Sequence, residues 1–435
     1  MREKTILTEP LRPHRGGAFY YVQEIEEDGA GQSRHTAGVK NRRCHCAGDM
    51  HMRMAVFLGI YLSIYGGMHA YIFRKMMPLL PAGRWPVILL FSFFVVAPVL
   101  IVWLTHRGYA AVALPLAWII YLWMGFAFIF FSAALTLDVY HLVVGLAARL
   151  GGFDISRMII SSSRTAALAV MGLSVLVTVY GVVAARQVGV QSVTIPTDKI
   201  TVSHRPLRVV QISDVHLGLI TREAWVDRLV ETIRGLDPDL IVSTGDLVDM
   251  QLDHIGRFAD RLRTLDPRLG KYAVMGNHEV YAGLYPGDPF FDRAGFRMLS
   301  NEGLTIGHGI AVVGVDDPAV GNRWKGNPFN EEEILRPFSG KGFVLFLKHQ
   351  PVIEKTSIPL FDLQLSGHSH GGQIFPFGLL TRLSYPVKLG LSKLAQETWF
   401  YHSRGTGTWG PPLRVLAPPE VTVIDIVPST HMPGK

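Results

Sequence analysis

The chain has 435 residues, 42 Lys and Arg against 35 Asp and Glu, a formal charge of +7, 49% hydrophobic residues and a mean hydropathy of +0.25. That is long enough for two or three domains and a large core, and too apolar for a disordered or wholly water-exposed protein. Residues 195–435 hold 25 Lys and Arg against 26 Asp and Glu, so the basic excess lies beside the apolar N-terminal half. This distribution suits the flanks of membrane helices and argues against nucleic-acid binding, and two cysteines, Cys44 and Cys46, make no disulfide framework.

Residues 1–53 mix Gly, Arg, His and acidic residues with no apolar period and are expected to be a disordered extension. Met52 or Met54 would serve equally as a start. Cys44-His45-Cys46 with His51 lacks the paired spacing of a metal site. Four apolar runs follow, at 54–73, 86–104, 110–137 and 165–185, with no Lys, Arg, Asp or Glu inside. Each is near or above the roughly 20 residues that cross a bilayer as a helix. A four-helix transmembrane region is therefore expected over 54–186, with Arg74, Lys75, Arg84, Trp85 and Trp103 near the membrane interfaces. Asp138 and His141 fit the point where the third helix leaves the membrane. The basic loops around 74–84 and 149–164 weigh toward the cytoplasm, which sets the C-terminal domain on the extracytoplasmic side.

Residues 187–206 read as a polar linker and 207–428 as a layered α/β domain, with 429–435 a tail. Expected strands cover 207–213, 239–244, 271–275, 310–315, 342–347, 363–366 and 421–427, and expected helices 221–236 and 255–264. Thr221 is the expected N-cap of the first of these helices.

Five polar motifs stand at the ends of those strands. In Asp214-Val-His216, residues two apart on extended backbone face one side and reach one metal. In Gly245-Asp246-Leu-Val-Asp249, the Asp246 carboxylate has two oxygens and can bridge two cations. Gly276-Asn277-His278-Glu279 offers a neutral oxygen ligand and a candidate acid or phosphate contact. Lys348-His349 and Gly367-His368-Ser-His370 add imidazoles. Singly, each motif is more often a turn or a core histidine. Together they form one oxygen and nitrogen ligand set with a bridging carboxylate, suited to two divalent ions about 3.5–4 Å apart. Mixed carboxylate and imidazole favours Mn, Fe or Zn.

The ordered set resembles the calcineurin-like metallophosphoesterase superfamily over about 200–427. The N-terminal helices, Ser403-Arg404-Gly405 and Pro418-Pro419-Glu420 resemble its membrane-anchored YkuE/YaeI-type branch and the transmembrane protein with metallophosphoesterase domain. The resemblance implies a four-layer αββα double β-sandwich. It implies Asp214, His216 and His370 on one metal, Asn277, His349 and His368 on the other, Asp246 between them, and His278 touching the phosphate or protonating the leaving group. Catalysis would then rest on Asp246 and His278, and substrate binding on Asn277 and His278. Asp249, Asp316 and Arg404 are further candidates, and Lys348 is expected to point to solvent. The implied function is a membrane-anchored phosphoesterase, a phosphodiesterase in its sharper form, acting through a metal-activated water. A lipid-linked substrate such as UDP-2,3-diacylglucosamine follows by analogy. The alternative is a receptor or transporter-associated protein with a regulatory phosphoesterase-like domain, which the lack of paired charges in the apolar runs disfavours.

Overall fold

The computed structural model describes residues 6–7, 23–24, 46–80, 84–152, 154, 162–200, 205–249, 255–324 and 329–429. Most of the expected extension, with Cys44 and His45, lies outside them. The chain divides into two units, Met1–Tyr61 and Leu62–Lys435. In the first, Ile6–Leu7 pairs antiparallel with Gln23–Glu24.

Helix α1 covers Cys46–Met76, α2 Trp85–His106, α3 Ala110–Gly151 and α4 Ser163–Ala185. Among the described residues, α2, α3 and α4 are long and apolar enough to cross a membrane, three rather than the four expected. The remaining run, 54–73, lies in helix α1, part of which falls outside the residues described in full. From position 62 onward α1 packs on its neighbours: Ile72 joins Phe91, Phe130 and Val170 in one core. Trp123 Nε1 donates to His69 Nε2 at 2.9 Å. Asp138 accepts from Tyr71 at 2.7 Å and pairs with Lys75, so it is satisfied within the helices.

The α/β domain begins earlier than expected. Residues 187–206 contain a strand, β1 (Gly189–Pro196), followed by β2 (Leu207–Ile212), α5 (Glu223–Gly235), β3 (Leu240–Ser243), α6 (Gly256–Arg263) and β4 (Lys271–Ala273). Then come α7 (Asn277–Ala282), α8 (Pro289–Ala294), β5 (Arg297–Met298), β6 (Glu302–Ile306), β7 (Ile310–Gly314), α9 (Pro318–Trp324) and α10 (Glu331–Leu335). The chain finishes with β8 (Phe343–Leu347), β9 (Leu363–Ser366), α11 (Phe377–Ser384), β10 (Gly390–Lys393), β11 (Trp399–His402) and β12 (Glu420–Val427).

Two six-stranded mixed sheets result, ordered β1-β12-β2-β3-β4-β5 and β10-β11-β9-β8-β7-β6. Strand β1, polar enough to read as linker, is recruited by pairing parallel to β12 over its whole length. The strands run two-sided: in β2, Leu207 and Val209 enter one core and Val210 and Ile212 another. The first of these cores joins both sheets, with Val242 and Ile424 meeting Leu345 and Leu365. The second lies against α5, α6 and α8, and a third sets Val313 and Phe346 against Leu335 of α10.

The domain is anchored to the helices by packing. Leu413 is fully buried with Ile129 of α3, Ile374 and Val415. It fills a notch where a Cβ on Gly125 would stand 2.5 Å from its Cδ2. Beside it, Arg414 N donates to the Gly181 carbonyl of α4 at 2.9 Å. Leu219 and Ile220, just beyond His216, pack on Phe94, Ile101, Ala117 and Ile120 of α2 and α3.

Candidate metal centre

Strands β2, β3 and β4 are parallel in one sheet, and β7, β8 and β9 in the other. Their carboxyl ends therefore share a side, and the five motif loops leave from those ends, where open α/β sheets place ligands. Three groups of side chains converge there: Asp214, His216 and His370; His216, Asp246 and His278; and Asp246, His349 and His368. His216 Nε2 lies 2.9 Å from His370 Nε2, and His368 Nδ1 lies 3.0 Å from His349 Nε2. Asp214 Oδ1 is 3.6 Å from His370 Nε2. Asp246 Oδ2 stands 3.2 Å from His349 Nε2 and 3.8 Å from His216 Nε2, between the outer groups. Asn277 Oδ1 joins the last group, 3.2 Å from His349 Nε2. All seven expected ligands and His278 are thus brought together.

The donor set fits divalent cations. Nitrogen ligands about 2.1 Å from one ion and at right angles to each other stand about 3 Å apart, the spacing seen between these imidazoles. Burial first, then neighbouring imidazoles, lowers His216 to about 4 and His368 to about 3, and burial with the Arg414 charge takes His370 well below the usual value. These rings are therefore neutral at pH 7, the form that ligates. Burial pushes Asp214 up to about 6. Burial alone would also raise Asp246, but His349, His278 and His216 hold it well below the usual carboxylate range.

The convergence is not made by extended backbone, as the two-apart spacing suggested. Asp214, His216, Asp246, His368 and His370 all have φ between 51° and 70°. Left-handed backbone costs a non-glycine residue roughly 1–2 kcal/mol, and such strain concentrates at functional sites. The loops also interlock too closely for side chains at two glycines. A Cβ on Gly276 would stand 2.2 Å from Asp246 Oδ1, and one on Gly367 would stand 2.2 Å from Asp214 Oδ2.

His278 is oriented by Asp249, whose Oδ1 lies 2.9 Å from its Nδ1. Burial opposes charge on His278, but this hydrogen bond and the Asp246, Asp249 and Glu279 charges raise its pKa. The other candidates do different work. Asp316 accepts from Ser300 and Asn301 away from the cluster. Arg404 is tied to Glu420. Lys348 is not in solvent but 8% exposed and paired with the buried Glu331. Thr221 does not cap α5; its hydroxyl accepts from Gly218 N and donates to the His216 carbonyl, bracing that loop.

Two residues at the centre carry no role in the motif reading. Glu279 is fully buried and accepts from the backbone N–H groups of Asp246, Val248 and Gly276 at 2.8–2.9 Å, fastening two motif loops together. Its place three residues after the N-cap Gly276 was the available signal. Arg414 is 0% exposed. It donates to the carbonyls of His370, Arg404, Gly407 and Ala417, and its Nη2 lies 3.1 Å from His370 Nδ1. No local pattern marks it.

The calcineurin-like phosphoesterase family profile matches residues 207–372. An uncharacterized metallophosphoesterase of Aquifex aeolicus is 37% identical over 258 residues, covering 59% of this chain and 98% of that one. A transmembrane protein with metallophosphoesterase domain from Danio rerio is 34% identical over 282 residues, covering 60% of this chain and 63% of that one. The uncharacterized metallophosphoesterase YkuE of Bacillus subtilis is 34% identical over 235 residues, with 50% and 78% covered. With the near-complete overlap of the Aquifex protein and the convergent side chains of a kind that can hold a metal ion, the chain belongs to the calcineurin-like metallophosphoesterases and is a metal-dependent phosphoesterase.

Proposed function

We propose that the protein is a multi-pass membrane phosphodiesterase that hydrolyses a lipid-linked phosphate ester at a centre for two divalent ions, Mn, Fe or Zn. The observation that carries this reading is the position of Asp246 Oδ2 between two sets of imidazole and carboxylate donors. Asp214, His216 and His370 would hold one ion and Asn277, His349 and His368 the other, with Asp246 shared. When bound, the ions supply a water of lowered pKa and neutralise charge on the phosphate oxygens. Water adds at phosphorus, the bond from phosphorus to the leaving oxygen breaks, and that oxygen takes a proton.

His278 is the residue to give that proton. Its pKa is raised, and Asp249 fixes the ring from the far nitrogen. The helix–sheet–sheet–helix layering of the family agrees with the three cores. A lipid-linked substrate agrees with α11, whose Leu379, Leu380 and Leu383 are exposed while the Phe377 ring lies 6.1 Å from Phe128 of α3. The basic loops favour an extracytoplasmic catalytic domain.

The test is hydrolysis of bis-p-nitrophenyl phosphate by the full-length protein in detergent, with Mn, Zn, Mg or chelator. Metal-dependent turnover abolished by chelator is the expected result, and a folded, metal-loaded protein that turns over no ester would refute the reading. A second expectation concerns pH. A general acid works only while protonated, so activity falls as pH rises through the His278 pKa. Asp249→Asn removes a cause of the raised value, and the alkaline limb of the kcat profile should move to lower pH. An unmoved limb would exclude His278 as the acid.

A further inference from the structure

We infer that a cavity between the membrane helices and the metal centre binds the apolar chain of an amphiphilic phosphate ester, an inference that rests on the phosphoesterase reading. The cavity measures about 320 Å³, within the range of about 300–1,000 Å³ typical of ligand pockets. Its lining joins two regions that a water-soluble substrate would have no reason to connect. Trp118 and Tyr121 of α3 and Val182 and Ala185 of α4 contribute one wall, and His216 and Asp249 of the centre belong to the other.

The same cavity carries charge as well as apolar surface. Arg186, Arg222 and Arg228 line it, against Asp249 as the sole acidic residue of the lining, and Asp249 is engaged with His278. The balance suits an anionic phosphate with an uncharged tail. The Arg222 guanidinium lies 4.9 Å from the Trp118 ring centroid, a cation–π contact joining domain to helix. The loop leaving His216 packs its Leu219 and Ile220 on α2 and α3, helices apolar enough to sit in a bilayer. A chain lying along the α3 and α4 wall, beside Trp118, Tyr121, Val182 and Ala185, would reach His216 and Asp249 within the same cavity.

The test uses alkyl p-nitrophenyl phosphates from methyl to dodecyl, with the full-length protein in detergent and with Ala185→Phe and Ala224→Phe, neither of which touches the centre. Burying a methylene changes an equilibrium about fourfold. For the wild type, kcat/KM should rise with chain length by up to about that factor per methylene and then level off. Both variants should flatten the rise and leave the methyl ester unchanged. A rate independent of chain length, or variants that slow methyl and dodecyl esters alike, would overturn the inference. If no ester is turned over, the phosphoesterase reading fails, and the chain site is read separately with a dodecyl phosphonate carrying a diazirine at the chain end. Adducts on the 118–121 and 182–185 segments, competed by plain dodecyl phosphonate and lost in Ala185→Phe, support the site. Adducts elsewhere, or none that competitor removes, reject it.

Discussion

Asp246→Asn is expected to lower kcat/KM by on the order of 10³-fold and to reduce bound metal, while the protein stays folded. The substitution keeps the side-chain volume but removes the negative charge from a fully enclosed place. Its Oδ2 faces His349 and His216, and its Oδ1 accepts from His278 N at 2.8 Å. An amide presents one oxygen in place of two and cannot offset the charge of the two cations proposed for this centre. Folding should survive, because the loop itself is held by Glu279 through the Asp246 and Val248 N–H groups, which the substitution leaves intact. Metal content by mass spectrometry and hydrolysis rates decide the matter together. A variant that keeps both its metal and its rate would remove Asp246 from the bridging position.

Arg414→Met should be more damaging to the whole molecule. It leaves the carbonyls of Arg404, Gly407 and Ala417 without this donor, while the His370 carbonyl keeps only its bond from Gln373 N. Each orphaned group costs about 1–3 kcal/mol, so the sum reaches a large share of a typical folding free energy of about 5–15 kcal/mol. Arg414→Lys should recover little, since an ammonium lacks the planar fork that reaches four acceptors. Thermal unfolding in detergent, read beside metal affinity, checks both variants. An unfolding temperature within a degree or two of the wild type would show that these carbonyls find other partners.

The ligand motifs were legible because each follows a short run of β-branched and other apolar residues, such as the one ending at Ile212, and because histidine, aspartate and asparagine cluster nowhere else in that order. Strand β1 was hidden because Gly189-Val-Gln-Ser-Val-Thr-Ile-Pro is half polar and gains strand structure only by pairing with residues more than two hundred positions later. Lys348 was misjudged for a related reason: its partner Glu331 is supplied by a different element. The left-handed backbone at five ligands is likewise set by neighbouring loops rather than by residue type, since aspartate and histidine only mildly favour it. Arg414 lay beyond any local signal, because no residue pattern marks the turn that brings the nearby carbonyls of Arg404, Gly407 and Ala417 around it, and its link to His370 spans 44 positions.

The place of β12 in its sheet carries a consequence for biogenesis. It lies between β1, which directly follows α4, and β2, which opens the catalytic domain. During synthesis the helices and both flanking strands emerge first, and β1 and β2 present unpaired edges to each other until residues 420–427 arrive. Sheet closure is therefore a late event of high contact order, and slow by its topology. A ribosome-bound chain stalled before residue 420 should be readily cleaved by protease near 187–206, and resistance should appear only once the final strand has been released to slot into the gap.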